Sequence, residues 1–145
     1  MTLMEEARAA LDAKGAAERR LAAAADCPPW RHALFGLVMG ALVATPALAL
    51  PLRLVALALI LFGIAGIVAW DRRRMGMFVN GYRRGKTLIV SFALLAIVLT
   101  LYLFSARAGL AGDRLTPLLL GVVAFIISVV GSVTWQRVFV RELGA

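Results

Sequence analysis

The chain is poor in the residues from which most active sites are built. A single cysteine, Cys27, excludes an intrachain disulfide and any cysteine-based zinc site. A single histidine, His32, excludes an intrachain bis-histidine metal or haem site. Asp and Glu together number 8 in 145 residues. None lies between Asp26 and Asp71, between Asp71 and Asp113, or between Asp113 and Glu142. The sequence offers no carboxylate pair, no nucleophile beside a base and no metal-ligand cluster, so neither an enzyme nor a bound cofactor or metal is expected. Strand-like alternation is missing too, which removes a lipid-facing β-barrel. No low-complexity linker and no clear internal repeat interrupts the chain.

What is present is apolar. Hydrophobic residues make up 62% of the chain and charged residues 17%, against about half and a quarter in soluble domains. A domain of this length buries too small a fraction of its surface to hide that much apolar side chain. A soluble globular fold is therefore excluded, and so is disorder. Four apolar runs, about 32–50, 52–70, 87–106 and 115–136, each approach the ~20 residues needed to cross the hydrocarbon core as a helix. Backbone groups in lipid must satisfy one another, which leaves helices as the workable form.

The expected fold is all-α: an integral membrane bundle of four transmembrane helices over 30–141, with a short cytosolic helix within 1–29. The leading segment consists mostly of strong helix formers. Gly15 is expected to break it once, and Cys27-Pro28-Pro29 to stop it. Its apolar stripe of Leu3, Ala7, Ala10 and Leu11 is thin. It reads as a solvated tail, a docking helix for a partner, or an interfacial anchor.

Basic residues set the expected orientation. Thirteen of the 16 lysines and arginines fall in the N-terminal segment, in the loop after the second run, or in the C-terminal tail. The opposite side holds Arg53, Arg107 and Arg114. Both termini are therefore expected in the cytoplasm. Trp30, Trp70 and Trp135 all fall at the same predicted helix ends, where indole rings act as interface anchors. Only two of the 16 cations are lysines, Lys14 and Lys86. Such an arginine- and alanine-rich composition points to GC-rich codons and to a bacterial inner membrane. Ala47-Leu48-Ala49 resembles a signal-peptidase site, but the segment before the run is long and carries several acids, so an uncleaved first helix is expected.

Three short patterns invite functional readings. Gly81 to Thr87 resembles a phosphate-binding loop, but three residues separate Gly81 from Gly85 where the motif needs four. Nucleotide hydrolysis is not expected. The loop from Asp71 to Lys86 interleaves Arg72, Arg73, Arg74, Arg83, Arg84 and Lys86 with Phe78 and Tyr82. It is a topology signal, an anionic-lipid site, or a docking surface for an acidic partner. Finally, Gly36, Gly40 and Ala44 in the first run and Ala124, Ser128 and Ser132 in the fourth form small-residue stripes at four-residue spacing. Such stripes allow close helix approach, either inside one bundle or across a homodimer.

Together these features suggest a small non-catalytic inner-membrane protein. It would be an accessory or assembly subunit, or a subunit that interacts with anionic lipid. Its partners would be membrane lipids, a membrane protein or further copies of the chain, and no nucleic acid. The alternative is a small oligomeric transporter or pore. A proton-coupled transporter would need a titratable group inside the membrane, and the four runs contain no acid.

Overall fold

The computed structural model describes residues 2–24, 27–75 and 86–142. These form five helices: α1 (Leu3–Ala24), α2 (Pro29–Ala44), α3 (Leu50–Met75), α4 (Lys86–Leu110) and α5 (Leu115–Glu142). A single 3-10 turn, Thr45–Ala47, joins α2 to α3. There is no strand among the described residues. Three of the helices, α3, α4 and α5, are long and apolar enough to cross a membrane.

Helix α1 starts with a capping box: the Thr2 backbone N–H donates to Glu5 Oε2 at 2.8 Å, and the Glu5 N–H to Thr2 Oγ1 at 3.4 Å. It then runs through Gly15 without interruption, correcting the expected break. One helical glycine costs about 1 kcal/mol relative to alanine, too little to stop a helix whose other residues favour the form.

Helix α2 departs further from expectation. The first apolar run continues to Leu50, but the helix stops at Ala44 after 16 residues. Pro46 causes this. It has no N–H to give to the Leu42 carbonyl one turn back. That carbonyl is instead satisfied by the Thr45 backbone N–H and by Thr45 Oγ1 at 2.8 Å. At 1.5 Å per residue α2 is about 24 Å long, short of the ~30 Å hydrocarbon core.

Helices α2 and α5 form the main seam of the bundle, and α4 packs on α5 beside it. The buried positions of α5 recur every three or four residues through Pro117, Gly121, Ala124, Ser128 and Ser132, with Phe139 two turns further on. Those of α2 do the same at His32, Gly36, Gly40 and Val43. The seam is built from small residues. A Cβ placed on Gly40 would lie 2.7 Å from the Gly121 carbonyl oxygen, and one on Gly36 would lie 2.5 Å from Val129 Cγ2. With no apolar gain to be had over lipid, such close approach and the dispersion it brings are what hold helices together. Ser105 of α4 adds a buried hydrogen bond of 2.5 Å to the Val43 carbonyl. Most large apolar side chains face outward, among them Leu59, Phe62, Ile89, Phe104 and Leu119.

The α4–α5 connection is a compact Schellman turn. The Asp113 N–H reaches the Ala108 carbonyl and the Gly112 N–H reaches Gly109, with Gly112 at φ 83°. Asp113 then caps α5, accepting from the Leu115 and Thr116 backbone N–H groups and from Thr116 Oγ1. The Thr116 hydroxyl, followed by these backbone donors, holds the Asp113 carboxyl below its ordinary 3.8. A lowered pKa means the cap is fully present above that value and is lost as pH falls through the folded pKa. Asp113→Ala should therefore lower the melting temperature at pH 7, and the gap from wild type should close as pH falls through the folded pKa of Asp113. Melting curves of both proteins across pH would check this, and a gap that persisted in acid would contradict the assignment.

Candidate functional site

The bundle has two unlike ends. One carries the start of α2, the end of α3, the start of α4 and the end of α5. Here Trp30 and Trp70 meet edge to face with centroids 4.9 Å apart. The next residues along each helix, Arg31 and Asp71, form an ion pair. Arg31 Nε donates to Asp71 Oδ1 at 3.2 Å and Nη2 donates to Oδ2 at 2.5 Å. Asp71 is the more enclosed partner, with its side chain 8% exposed against 20% for Arg31. Beside them the His32 imidazole Nδ1 and Ser132 Oγ are 2.8 Å apart in a buried hydrogen bond. Glu142, at the end of α5, accepts from the Lys86 backbone N–H and from Thr87 Oγ1. A carboxylate at α5's own C-terminus is unfavourable, but the same group stands at the N-terminus of α4, where the helix dipole favours it.

At the opposite end, Arg53 of α3 donates to the Tyr102 hydroxyl of α4 at 2.9 Å. Helix α3 is thus fastened by polar groups near both ends, to α2 at one and to α4 at the other. Between these fastenings it leans on α2, where Gly63 comes close to Val38, and leaves a gap to α4.

That gap is a cleft of about 380 Å³. Phe35, Val38 and Met39 of α2 line it, with Ile64, Ile67 and Val68 of α3 and Val90, Leu94, Leu95 and Val98 of α4. Polar groups gather at one end, supplied by Arg31, Asp71, Ser91, Ser132 and Trp135. The Trp135 ring stacks on Phe139 with centroids 5.1 Å apart. Its Nε1–H is buried and makes no hydrogen bond among the described residues. The site is therefore an apolar trough with hydrogen-bond donors at its mouth. No group of residues able to hold a metal ion occurs among the described residues.

No family model, curated protein or solved structure matches the chain.

The residues singled out from the sequence fall into three sets. Gly36, Gly40, Ala124, Ser128 and Ser132 are buried within this single chain, and Ala44 meets Gly121. Of the basic loop, Arg72 and Arg73 are exposed on the last turns of α3 and Lys86 is exposed at the start of α4. Phe78, Tyr82, Arg83 and Arg84 lie outside the described residues, as does the side chain of Arg74. So does Gly81–Gly85 of the phosphate-loop look-alike, while its Thr87 is wholly buried against Glu142. The tryptophans share one end, but Trp135 faces the cleft as well as that end.

Sequence reasoning missed the pairing of Arg31 with Asp71. The apolar run ends at Trp70 and places Asp71 at the start of the basic loop, whereas α3 continues past it to Met75 and buries it beside Arg31 of α2. A signal was present. Trp30-Arg31 and Trp70-Asp71 are matched dipeptides at the two ends of one helical hairpin. Their aromatic and charged members both pair.

Proposed function

We propose that the chain is a non-catalytic protein of the bacterial inner membrane that interacts with anionic lipid, as an accessory or assembly subunit, with both termini cytoplasmic. The observation that carries this reading is the one-sided chemistry of the bundle. Arg72, Arg73 and Lys86 stand exposed beside the Trp30–Trp70 pair, at the end from which the basic loop departs. Cations just outside an aromatic belt are the arrangement that draws anionic headgroups.

On this reading α2 is the fourth span. Its shortness does not oppose that role, because α2 is packed along α5 and its exposed faces are few. Asp71 is the feature closest to the transporter alternative. It is bound to Arg31 and level with the tryptophans, so it supplies no acid deep in the bundle, and the lipid-interacting reading is preferred.

Two measurements test the proposal. Reporter fusions after Gln136 and near Ala111 should report opposite sides of the membrane, and a periplasmic C-terminus would overturn the topology. Replacing Arg83, Arg84 and Lys86 by glutamine should weaken retention of phosphatidylglycerol or cardiolipin. Each basic residue near an anionic leaflet contributes about 1 kcal/mol before screening, so a tenfold or greater loss is expected at low salt. Retention unchanged by the triple replacement and insensitive to salt would remove the lipid reading in favour of protein docking.

A further inference from the structure

We infer that the cleft between α3 and α4 is a binding site for one glycerophospholipid. One acyl chain would lie between the two helices, and its phosphate and ester oxygens would be held by Arg31 and Trp135. This inference deepens the lipid-interacting reading and rests on it, but it concerns an intramembrane site rather than the basic surface.

Four observations carry it. The volume of about 380 Å³ falls within the range of small-molecule pockets, 300 to 1,000 Å³. The trough runs from Val90 to Val98 along α4, about 12 Å at 1.5 Å per residue, and is apolar there apart from Ser91. That is a length suited to a stretch of acyl chain lying along the helices.

The mouth decides the chemistry. Ser132 Oγ is engaged with His32 Nδ1, Ser91 Oγ donates to the Thr87 carbonyl, and the Asp71 carboxylate is taken by Arg31. What remains to be satisfied is donor capacity: the buried Trp135 Nε1–H and the edge of the Arg31 guanidinium at Nη1, outside its pairing with Asp71. A ligand that completes this mouth must bring acceptors, negatively charged ones for preference, joined to a hydrocarbon tail. A phosphodiester with its ester carbonyls does so.

The direction of the ion pair is the fourth observation. A cation in the first turn of α2 and an anion near the C-terminus of α3 both oppose their helix dipoles, by about 0.3–1 kcal/mol each. The reverse arrangement would fasten the hairpin equally well. The arrangement present is the one that sets the cation on α2 at the mouth of the cleft.

A transmembrane helix from a partner fits less well. Its apolar side chains would leave the indole N–H unanswered.

Native mass spectrometry of the detergent-purified full chain tests the site. Wild type should carry one phospholipid per chain that persists at high salt. Ile64→Trp, which fills the cleft from the α3 wall, should reduce that occupancy at least tenfold. Leu61→Trp, on the exposed side of α3, should not change it. Trp135→Phe keeps an aromatic ring but removes the five-membered ring that carries the N–H, so it adds no bulk and guards against a misfolded cleft variant. The lost hydrogen bond should weaken retention about tenfold. Equal occupancy in wild type, Ile64→Trp and Trp135→Phe would overturn the inference, as would a wild type carrying no lipid or carrying a second polypeptide in its place. Failure here is distinguishable from failure of the surface reading. Neutralising Arg83, Arg84 and Lys86 should leave the salt-resistant lipid in place while weakening retention of the salt-sensitive ones.

Discussion

Gly40→Leu should pull α2 away from α5 and prevent the bundle from assembling, and Gly40→Ala should already weaken it by about 1–2 kcal/mol. Alanine gains about 1 kcal/mol of helix propensity over glycine. Its Cβ, however, would stand 2.7 Å from the Gly121 carbonyl oxygen and 2.9 Å from Phe125 Cβ. The first neighbour is backbone and cannot rotate aside, so the two helices must separate by several tenths of an ångström along a seam whose strength comes from contact. Overpacking a tight interface costs about 1–3 kcal/mol for small additions, and leucine's further atoms have nowhere to go. Gly66→Ala provides the contrast, because its Cβ would meet nothing within 4 Å. There the propensity term acts alone, and a gain of about 0.5–1 kcal/mol is expected. Thermal unfolding in mild detergent should rank Gly66→Ala at or above wild type, then Gly40→Ala, then Gly40→Leu. Equal midpoints for the Gly40 variants and wild type would refute the close approach.

The second large effect concerns the ion pair, where the two partners should not be equivalent. Arg31→Ala leaves the Asp71 carboxylate enclosed beneath α2 without its counter-charge. Breaking a buried pair in this way costs about 3–5 kcal/mol. Asp71→Ala leaves a guanidinium that is already partly exposed on a long stem that can turn toward the headgroups. Its cost should fall closer to that of an exposed pair, about 0–1 kcal/mol. Replacing both at once should be milder than losing Arg31 alone. Unfolding of the two single variants and the double variant closes the cycle. Equal losses for the two single variants would show that Asp71 reaches water more readily than its burial implies.

Part of this was written plainly in the sequence. Helices α3, α4 and α5 could be read from run length and hydropathy, since lipid imposes a length on any helix that crosses it. The stripe at Gly36 and Gly40 also pointed to a close seam, although spacing could not say whether its partner was α5 or a second chain. The errors have separate causes. Hydropathy does not register a missing N–H, so the first run was carried past Pro46 to Leu50 while the helix ended at Ala44. Apolar character ends at Trp70 but helical conformation does not, so Asp71 was assigned to a loop. At Gly15 a penalty of about 1 kcal/mol was given more weight than one residue in α1 carries. The cleft was not legible at all. It arises because α3 leans on α2 and not on α4 between its end fastenings, and nothing in a single helix's pattern records how closely a neighbour approaches.

The fastening of α3 at its ends also bears on how this protein would drift in evolution. Along most of α3, including Leu59, Leu61 and Phe62, the outward side chains need only be apolar and can be exchanged for one another without touching the bundle. Constraint should fall instead at the fastenings: Arg53, which reaches Tyr102, and Trp70-Asp71, which meet Trp30-Arg31. A distant relative could therefore share little identity in its second long apolar run and still keep an arginine near the start and a tryptophan-acid dipeptide at the close. The sparse pattern Trp-Arg, then Arg, then Trp-Asp would trace descent better than the many leucines and alanines between.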